Sequence, residues 1–149
     1  MTNYAYDRDL GIGTLLPRRA YGMNKQILVV DDEAATRTLI SILLQRRGFS
    51  VIEAADGSSA LQLLDTNSPN LIILDLMMPG MDGFELCRRL RAREQTAATP
   101  ILIMSAMYDS KGIKASFDAG ADDYLPKINL HPNLVAKVRK LLGETTDVC

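Results

Sequence analysis

"LIILDLMM", residues 71–78, decides how the rest of the chain is read. Its first four residues are apolar, two of them β-branched, a run suited to a strand covered on both faces. The run then meets a carboxylate, Asp75, and continues with more apolar residues. An ionised side chain at the edge of a core is costly unless it is paired, hydrogen-bonded or bound to metal. The fold therefore has to bring partners to Asp75.

Around this run the chain alternates regularly from Lys25. "QILVV" (26–30) is a short β-branched run that ends at Asp31 and Asp32. Thr36, Leu39, Ile40, Leu43 and Leu44 follow at the 3–4 spacing of one helix face, stopped at Gly48. "SVIEA" (50–54) is the next strand, and Asp56-Gly57-Ser58 opens a helix through Ala60, Leu61 and Leu64, with Pro69 beyond its end. After "LIIL" (71–74), Asp82-Gly83 begins a third helix that uses Phe84, Cys87 and Leu90. "PILIM" (100–104) is a fourth strand, and Asp109 caps a fourth helix through Ile113 and Phe117. A short fifth strand, 123–125, precedes a last helix with Leu134, Val135, Val138, Leu141 and Leu142 as its stripe and Pro132 in its first turn.

Five strands alternating with five helices predict an α/β fold with a parallel sheet covered on both faces. Right-handed crossovers leave few topologies. The expected one is a flavodoxin-like (βα)5 three-layer sandwich with a five-stranded parallel sheet of order 2-1-3-4-5.

Of 149 residues, 47% are hydrophobic and 23% charged, which suits one domain with a sizeable core. A net charge of −1 gives no global attraction to nucleic acid or acidic membrane. No apolar run approaches the roughly 20 residues of a membrane helix. Cys87 and Cys149 form no disulfide framework, so the cytoplasm is the expected compartment. Residues 1–24 show no clear period and read as a loosely ordered extension, with Met23 as an alternative start. Asp7 and Asp9 flank Arg8, and glycines break the only apolar stretch, so no signal peptide is expected. The domain is expected over 25–143, with a polar tail at 144–149.

In open α/β sheets, sites form outside the carboxyl ends of the strands. Asp31 and Asp32 end strand one, Asp75 ends strand three, Ser105 ends strand four, and Lys127 lies two residues past strand five. Strands one and three are neighbours in the expected order, so three carboxylates converge. At an effective dielectric near 20, two unit charges about 4 Å apart repel by about 4 kcal/mol. A hard divalent cation such as Mg²⁺ answers that repulsion. Each residue alone has a bland reading: a turn former, a helix cap, a solvated lysine. Jointly they suggest phosphoryl transfer, with Asp75 able to form an acyl phosphate.

"ILVVDDE", "LIILDLMMPGMDGFEL", "PILIMSA" and "GADDYLPK" together resemble the receiver domain of two-component response regulators, in order across all five strands. The resemblance implies that Asp75 is the phosphoacceptor, supplied by a histidine kinase or histidine phosphotransfer protein. It implies that Asp32, Asp75 and the backbone carbonyl of Met77 bind Mg²⁺ directly, with Asp31 acting through water. Lys127 and Ser105 then contact the phosphoryl oxygens, and Tyr124 turns inward behind Ser105 as part of the switch. Pro79 and Gly80 supply the turn chemistry of the connecting loop.

One position departs from the family, which usually has proline after the lysine, with a cis peptide before it; here it is Ile128. A cis bond before isoleucine costs about 2.5–4 kcal/mol, so the alternatives are a strained cis bond or a trans bond with a re-routed loop. The resemblance places Met77 and Met107 where the family tunes the lifetime of the phosphoryl group; both are apolar and offer no group to orient water, so slow autodephosphorylation is expected. Arg88, Arg89, Arg91 and Arg93 read as a solvated helix face, without the modules of a nucleic-acid binder. Lys137, Arg139 and Lys140 read the same way, and His131 carries no catalytic role.

The expected function is a stand-alone receiver, a phosphorylation-controlled binding module with no turnover beyond self-phosphorylation and slow autodephosphorylation. Output passes through a protein partner, a relay or a homodimer, with no direct nucleic-acid binding and no membrane. Two alternatives stand beside it. One is a receiver cut from a DNA-binding transcriptional regulator, with "GETTDVC" as a linker stub. The other is an Asp-nucleophile phosphatase, disfavoured because Met77 stands where such enzymes place a second aspartate.

Overall fold

The computed structural model describes the backbone of residues 4–7 and 12–17, and residues 25–106 and 109–144 in full. Tyr4–Asp7 (β1) and Ile12–Pro17 (β2) pair antiparallel, so part of the segment expected to be loosely ordered forms a two-stranded sheet. Met23, Met107, Cys149 and the last five residues of the tail lie outside the described residues.

The main sheet contains Gln26–Val30 (β3), Ser50–Ala54 (β4), Leu71–Asp75 (β5), Ile101–Ser105 (β6) and Asp123–Pro126 (β7). All neighbours are parallel, in the order β4-β3-β5-β6-β7. Counted within this sheet alone, that is the expected 2-1-3-4-5. The helices between and after the strands are Ala34–Gln45 (α1), Gly57–Leu63 (α2), Gly83–Ala92 (α3), Ser110–Asp118 (α4) and Leu130–Leu141 (α5).

Both faces of the sheet are apolar because helices cover both. Leu28, Val30, Ile72, Leu74, Ile101 and Ile103 point into one core with Ala60, Leu64, Leu86, Cys87 and Leu90. Ile27, Val29, Leu71, Ile73, Leu102 and Met104 point into the other with Ile40, Leu44, Leu134 and Val138. Successive strand residues thus alternate between two cores rather than between core and water, which is why the runs are unbroken. Three helices start as their sequences predict. The carboxylates of Asp56, Asp82 and Asp109 accept from the backbone N–H groups of Ser59, Glu85 and Gly112 at 2.7, 2.9 and 2.7 Å.

Two helix faces differ from their sequence reading. In α1, Ile40 and Leu44 are buried as expected, but Leu39 is exposed and Ser41 is buried in its place. In α4, Phe117 is exposed while Gly112 and Ser116 are buried, the Ser116 hydroxyl donating to the Gly112 carbonyl at 2.8 Å. Small residues at those two positions let α4 lie close, and the aromatic ring stays outside.

The arginines of α3 divide. Arg88 and Arg89 are exposed, as a solvated face requires. Arg91 instead turns toward the amino ends of β6 and β7. It donates to the carbonyls of Gly120, Thr96, Ala97 and Thr99 at 2.8, 3.1, 3.3 and 2.6 Å and pairs with Asp122 at 2.7 Å. Asp122 in turn accepts from the Ile101 N–H at 2.8 Å. Arg93 pairs with Asp65 at 3.2 Å, and Lys137 of α5 pairs with Asp123 of β7 at 3.0 Å.

Candidate functional site

At the opposite, carboxyl end of the sheet the chain leaves β3 into Asp31 and Asp32, and β5 ends on Asp75. One carboxylate oxygen from each lies within 4.8 Å of the others. Asp31 and Asp75 are buried and Asp32 is exposed, so the cluster opens to solvent on one side. All three donors are hard oxygens, the chemistry that Mg²⁺ or another hard divalent ion prefers over N/S-binding metals.

Lys127 reaches this cluster from the far side. Its Nζ lies 3.0 Å from Asp31 Oδ2 and 3.4 Å from Asp75 Oδ2. It does so as the first residue of a short 3-10 turn, Lys127–Asn129, that leads into α5. The Lys127–Ile128 peptide is trans, since the described residues contain no cis bond, and Ile128 points outward with 76% of its surface exposed. The trans alternative is therefore the one adopted, and the turn still delivers the ammonium to two carboxylates.

The electrostatics are tight. Burial raises the Asp75 pKa to about 6, and the Asp31 charge pushes the same way; Lys127 and the Met77 N–H, which donates to Asp75 Oδ1 at 3.3 Å, pull it back. Burial works against the Lys127 ammonium, but hydrogen bonds and attraction from Asp31 and Asp75 outweigh it and raise its pKa. A carboxylate held this way is largely ionised at neutral pH yet more basic than an ordinary aspartate.

Ser105 ends β6 in a buried position beside the site, and Tyr124 is buried in β7. Burial raises the Tyr124 pKa; the Asp109 charge adds to this, and hydrogen bonding with Ser105 opposes it. Ala106, next to Ser105, is small and exposed. Met77 is exposed by 56% at the rim. The structure thus brings Asp31, Asp32, Asp75 and Lys127 into one cluster, with Ser105 and the Met77 amide at its edge. Tyr124 stands behind Ser105.

Sequence reasoning missed three supporting residues. Arg37 of α1 donates from Nη1 to the Asp31 carbonyl at 2.7 Å and from Nε to Glu53 of β4 at 3.1 Å. The Ser41 hydroxyl donates to the other Glu53 oxygen at 2.9 Å. The apolar period of α1 drew attention to Leu39, one of the residues that proves exposed, while the cation on the helix's first turn was the informative residue.

Comparison with known proteins agrees with this geometry. Residues 27–139 match the family described as the response regulator receiver domain. The chain is 44% identical over 124 residues to the response regulator MprA of Mycolicibacterium vanbaalenii, covering 83% of this chain and 53% of that protein. It is 42% identical over 120 residues to the DNA-binding dual master transcriptional regulator RpaA of Synechocystis sp., covering 80% of this chain and 50% of that one. The chain thus spans about half the length of these curated relatives. Among solved structures, the Francisella response regulator 1452 receiver domain superposes with a TM-score of 0.74 at 33% identity, covering 80% of this chain and 98% of that one. The chemotaxis response regulator CheY4 of Vibrio cholerae gives 0.72 at 30%, covering 78% and 98%.

Proposed function

The chain belongs to the response regulator receiver domain family of two-component signal transduction, and on that premise we propose that Asp75 is its phosphoacceptor. The observation that supports this most is the convergence of Asp31, Asp32 and Asp75 within 4.8 Å, with Lys127 bridging two of them. Lys127 offsets one of three negative charges, and a divalent cation would offset the other two. Asp32 and Asp75, with the Met77 carbonyl, would hold Mg²⁺ directly and Asp31 through water. The ion, when bound, neutralises charge on the transferring phosphoryl oxygens.

In the proposed reaction an ionised Asp75 oxygen attacks the phosphorus of a phosphohistidine on a histidine kinase or phosphotransfer protein. An O–P bond forms as the P–N bond breaks, and the departing imidazole takes up a proton. Lys127 holds the phosphoryl oxygens by charge, and the Ser105 hydroxyl donates to one of them as Tyr124 packs behind it. These charge-assisted contacts exist only in the phosphorylated state, so they bias the domain toward a second conformation that a protein partner or a twin subunit reads. The phosphorylated protein is a switch that turns over once per signal, with slow loss of the phosphoryl group because Met77 offers no group to orient water.

Labelling with a small phosphodonor and Mg²⁺ tests this. One equivalent of phosphoryl group is expected on the parent chain and none on Asp75→Asn. Labelling that survives the substitution overturns the assignment, and many turnovers per chain would favour the phosphatase reading.

The relatives favour a second reading of the output. RpaA is named as a DNA-binding regulator, and this chain matches about half of it. In that reading the same phosphoryl switch controls a DNA-binding region joined to the receiver. The length of the intact reading frame decides between the two.

A further inference from the structure

Asp31 has every polar atom engaged. Its N–H donates to the Ala54 carbonyl at 3.2 Å, its Oδ1 accepts from the Glu33 N–H at 2.9 Å, and its Oδ2 faces Lys127 at 3.0 Å. The remaining atom, its carbonyl oxygen, accepts from Arg37 at 2.7 Å. That carbonyl belongs to the peptide that joins Asp31 to Asp32. Asp32, by contrast, is exposed, and its carboxylate makes no hydrogen bond or ion pair among the described residues. Its direction is therefore set through its backbone.

We propose that Arg37 is a positioning residue for the divalent-ion site, fixing the Asp31–Asp32 peptide so that the Asp32 carboxylate faces the ion. The inference rests on the metal-assisted phosphoacceptor reading given above. Arg37 is held by a fork: Nη1 grips the Asp31 carbonyl and Nε grips Glu53, whose second oxygen is held by the buried Ser41 hydroxyl. The fork spans three elements, since Arg37 and Ser41 lie on α1, Glu53 on β4, and Asp31 follows β3. The planar guanidinium suits this task, because its donors have fixed relative directions that an ammonium lacks.

Charge alone argues against placing Arg37 there. A cation next to a cation site repels the ion, and a site tuned only by charge would bind metal better without it. Glu53 cancels much of that charge and leaves the geometry. The two roles therefore predict opposite signs when the arginine is neutralised.

The test is Mn²⁺ binding by the full chain, followed by electron paramagnetic resonance, with thermal melting run in parallel and phosphodonor labelling as a second readout. Outer partners of metal ligands commonly contribute 10–100-fold to affinity, so Arg37→Gln is expected to bind Mn²⁺ about tenfold more weakly and to label more slowly by a similar factor. Arg37→Lys keeps the charge but not the fork, and most of the loss should remain. Ser41→Ala changes no charge and frees one Glu53 oxygen; a loss of about threefold is expected, and this variant decides the question if Arg37→Gln does not fold. Unchanged or tighter binding in Arg37→Gln, or full recovery in Arg37→Lys, overturns the proposal. If the parent chain is labelled on Asp75 and binds Mn²⁺ while the Arg37 variants match it, only the positioning role falls. A parent that neither binds nor is labelled removes the phosphoacceptor reading and this proposal with it.

Discussion

The two ends of the sheet handle charge in opposite ways. At the amino end, Arg91 reaches four carbonyls and Asp122, and Asp122 is shared with the Ile101 N–H. Donors and acceptors are matched there without outside help. At the carboxyl end, three carboxylates meet a single lysine, and burial lifts Asp75 well above an ordinary carboxylate. One end is complete in itself, while the other is left short of positive charge. The properties of the domain divide accordingly: the matched end contributes stability, and the mismatched end keeps an electrostatic deficit that a cation and a phosphoryl group can fill.

The largest effect should therefore come from the end without chemistry. Arg91→Ala strands several partly buried carbonyls and leaves Asp122 without its cation. Removing one partner of such a network typically costs 3–5 kcal/mol when buried, and partial exposure here lowers the expectation to about 3 kcal/mol. Urea unfolding would measure it, with phosphodonor labelling of the folded fraction unchanged. A loss below about 1 kcal/mol would show that the two ends do not differ in this way.

Next in size is a substitution that joins backbone packing to the site. A Cβ at Gly83 would sit 2.6 Å from the Asp75 carbonyl oxygen and 2.7 Å from Leu76 Cα. Both neighbours are backbone, so α3 must retreat or the end of β5 must shift. Gly83→Ala should cost about 2 kcal/mol despite the better helix propensity of alanine, and should slow labelling because Asp75 moves with its peptide. A stabilised variant would mean that α3 has room to move.

Asp75→Asn should have the opposite sign at the carboxyl end. Below about pH 3 the Asp75 carboxyl is protonated in both folded and unfolded chains and carries no penalty. Its pKa is about 6 when folded against an ordinary 3.8, so between those values the folded state holds the extra proton. Stability of the metal-free parent, relative to the asparagine variant, should fall as pH rises through that window. Above it the buried charge is fully expressed, and Asp75→Asn should be more stable by about 2–3 kcal/mol at pH 7.5, an advantage that vanishes near pH 3. Saturating Mg²⁺ should shrink or reverse the gap by stabilising the parent alone. Melting curves with and without Mg²⁺ at both pH values check each sign.

The contrast between the two ends also marks what the sequence could show. Strands β3, β5 and β6 were legible because continuous apolar runs have one common use in an α/β protein, a strand covered on both faces. Asp56, Asp82 and Asp109 were legible because a cap bonds within its own turn. Asp31, Asp32, Asp75, Ser105 and Lys127 were legible as a set only once strand ends were taken to share one edge. Arg91 was not, since its partners Gly120 and Asp122 lie 29 and 31 residues away and nothing local marks them. Phe117 and Leu39 failed for a related reason: periodicity identifies a helix, but neighbouring elements decide which of two adjacent faces is covered. Arg37 escaped because its main contact at the site is a backbone carbonyl, which no side-chain pattern records.

The smallest effect is the sharpest control on this contrast. Arg89 lies on the same helix as Arg91 and also has an acidic partner, Glu85, one turn earlier at 3.3 Å. Both side chains of that pair are about half exposed, so water screens the attraction and competes for both groups. Arg89→Ala should cost at most about 0.5 kcal/mol, the usual worth of such an i,i+4 pair. The substitution is chemically identical to Arg91→Ala, on the same element and two residues away. A several-fold ratio between the two losses, read from the same urea titrations, would assign the difference to where each guanidinium is received. Comparable losses would mean that α3 tolerates no truncation at all, and the contrast between the two ends of the sheet would lose its meaning.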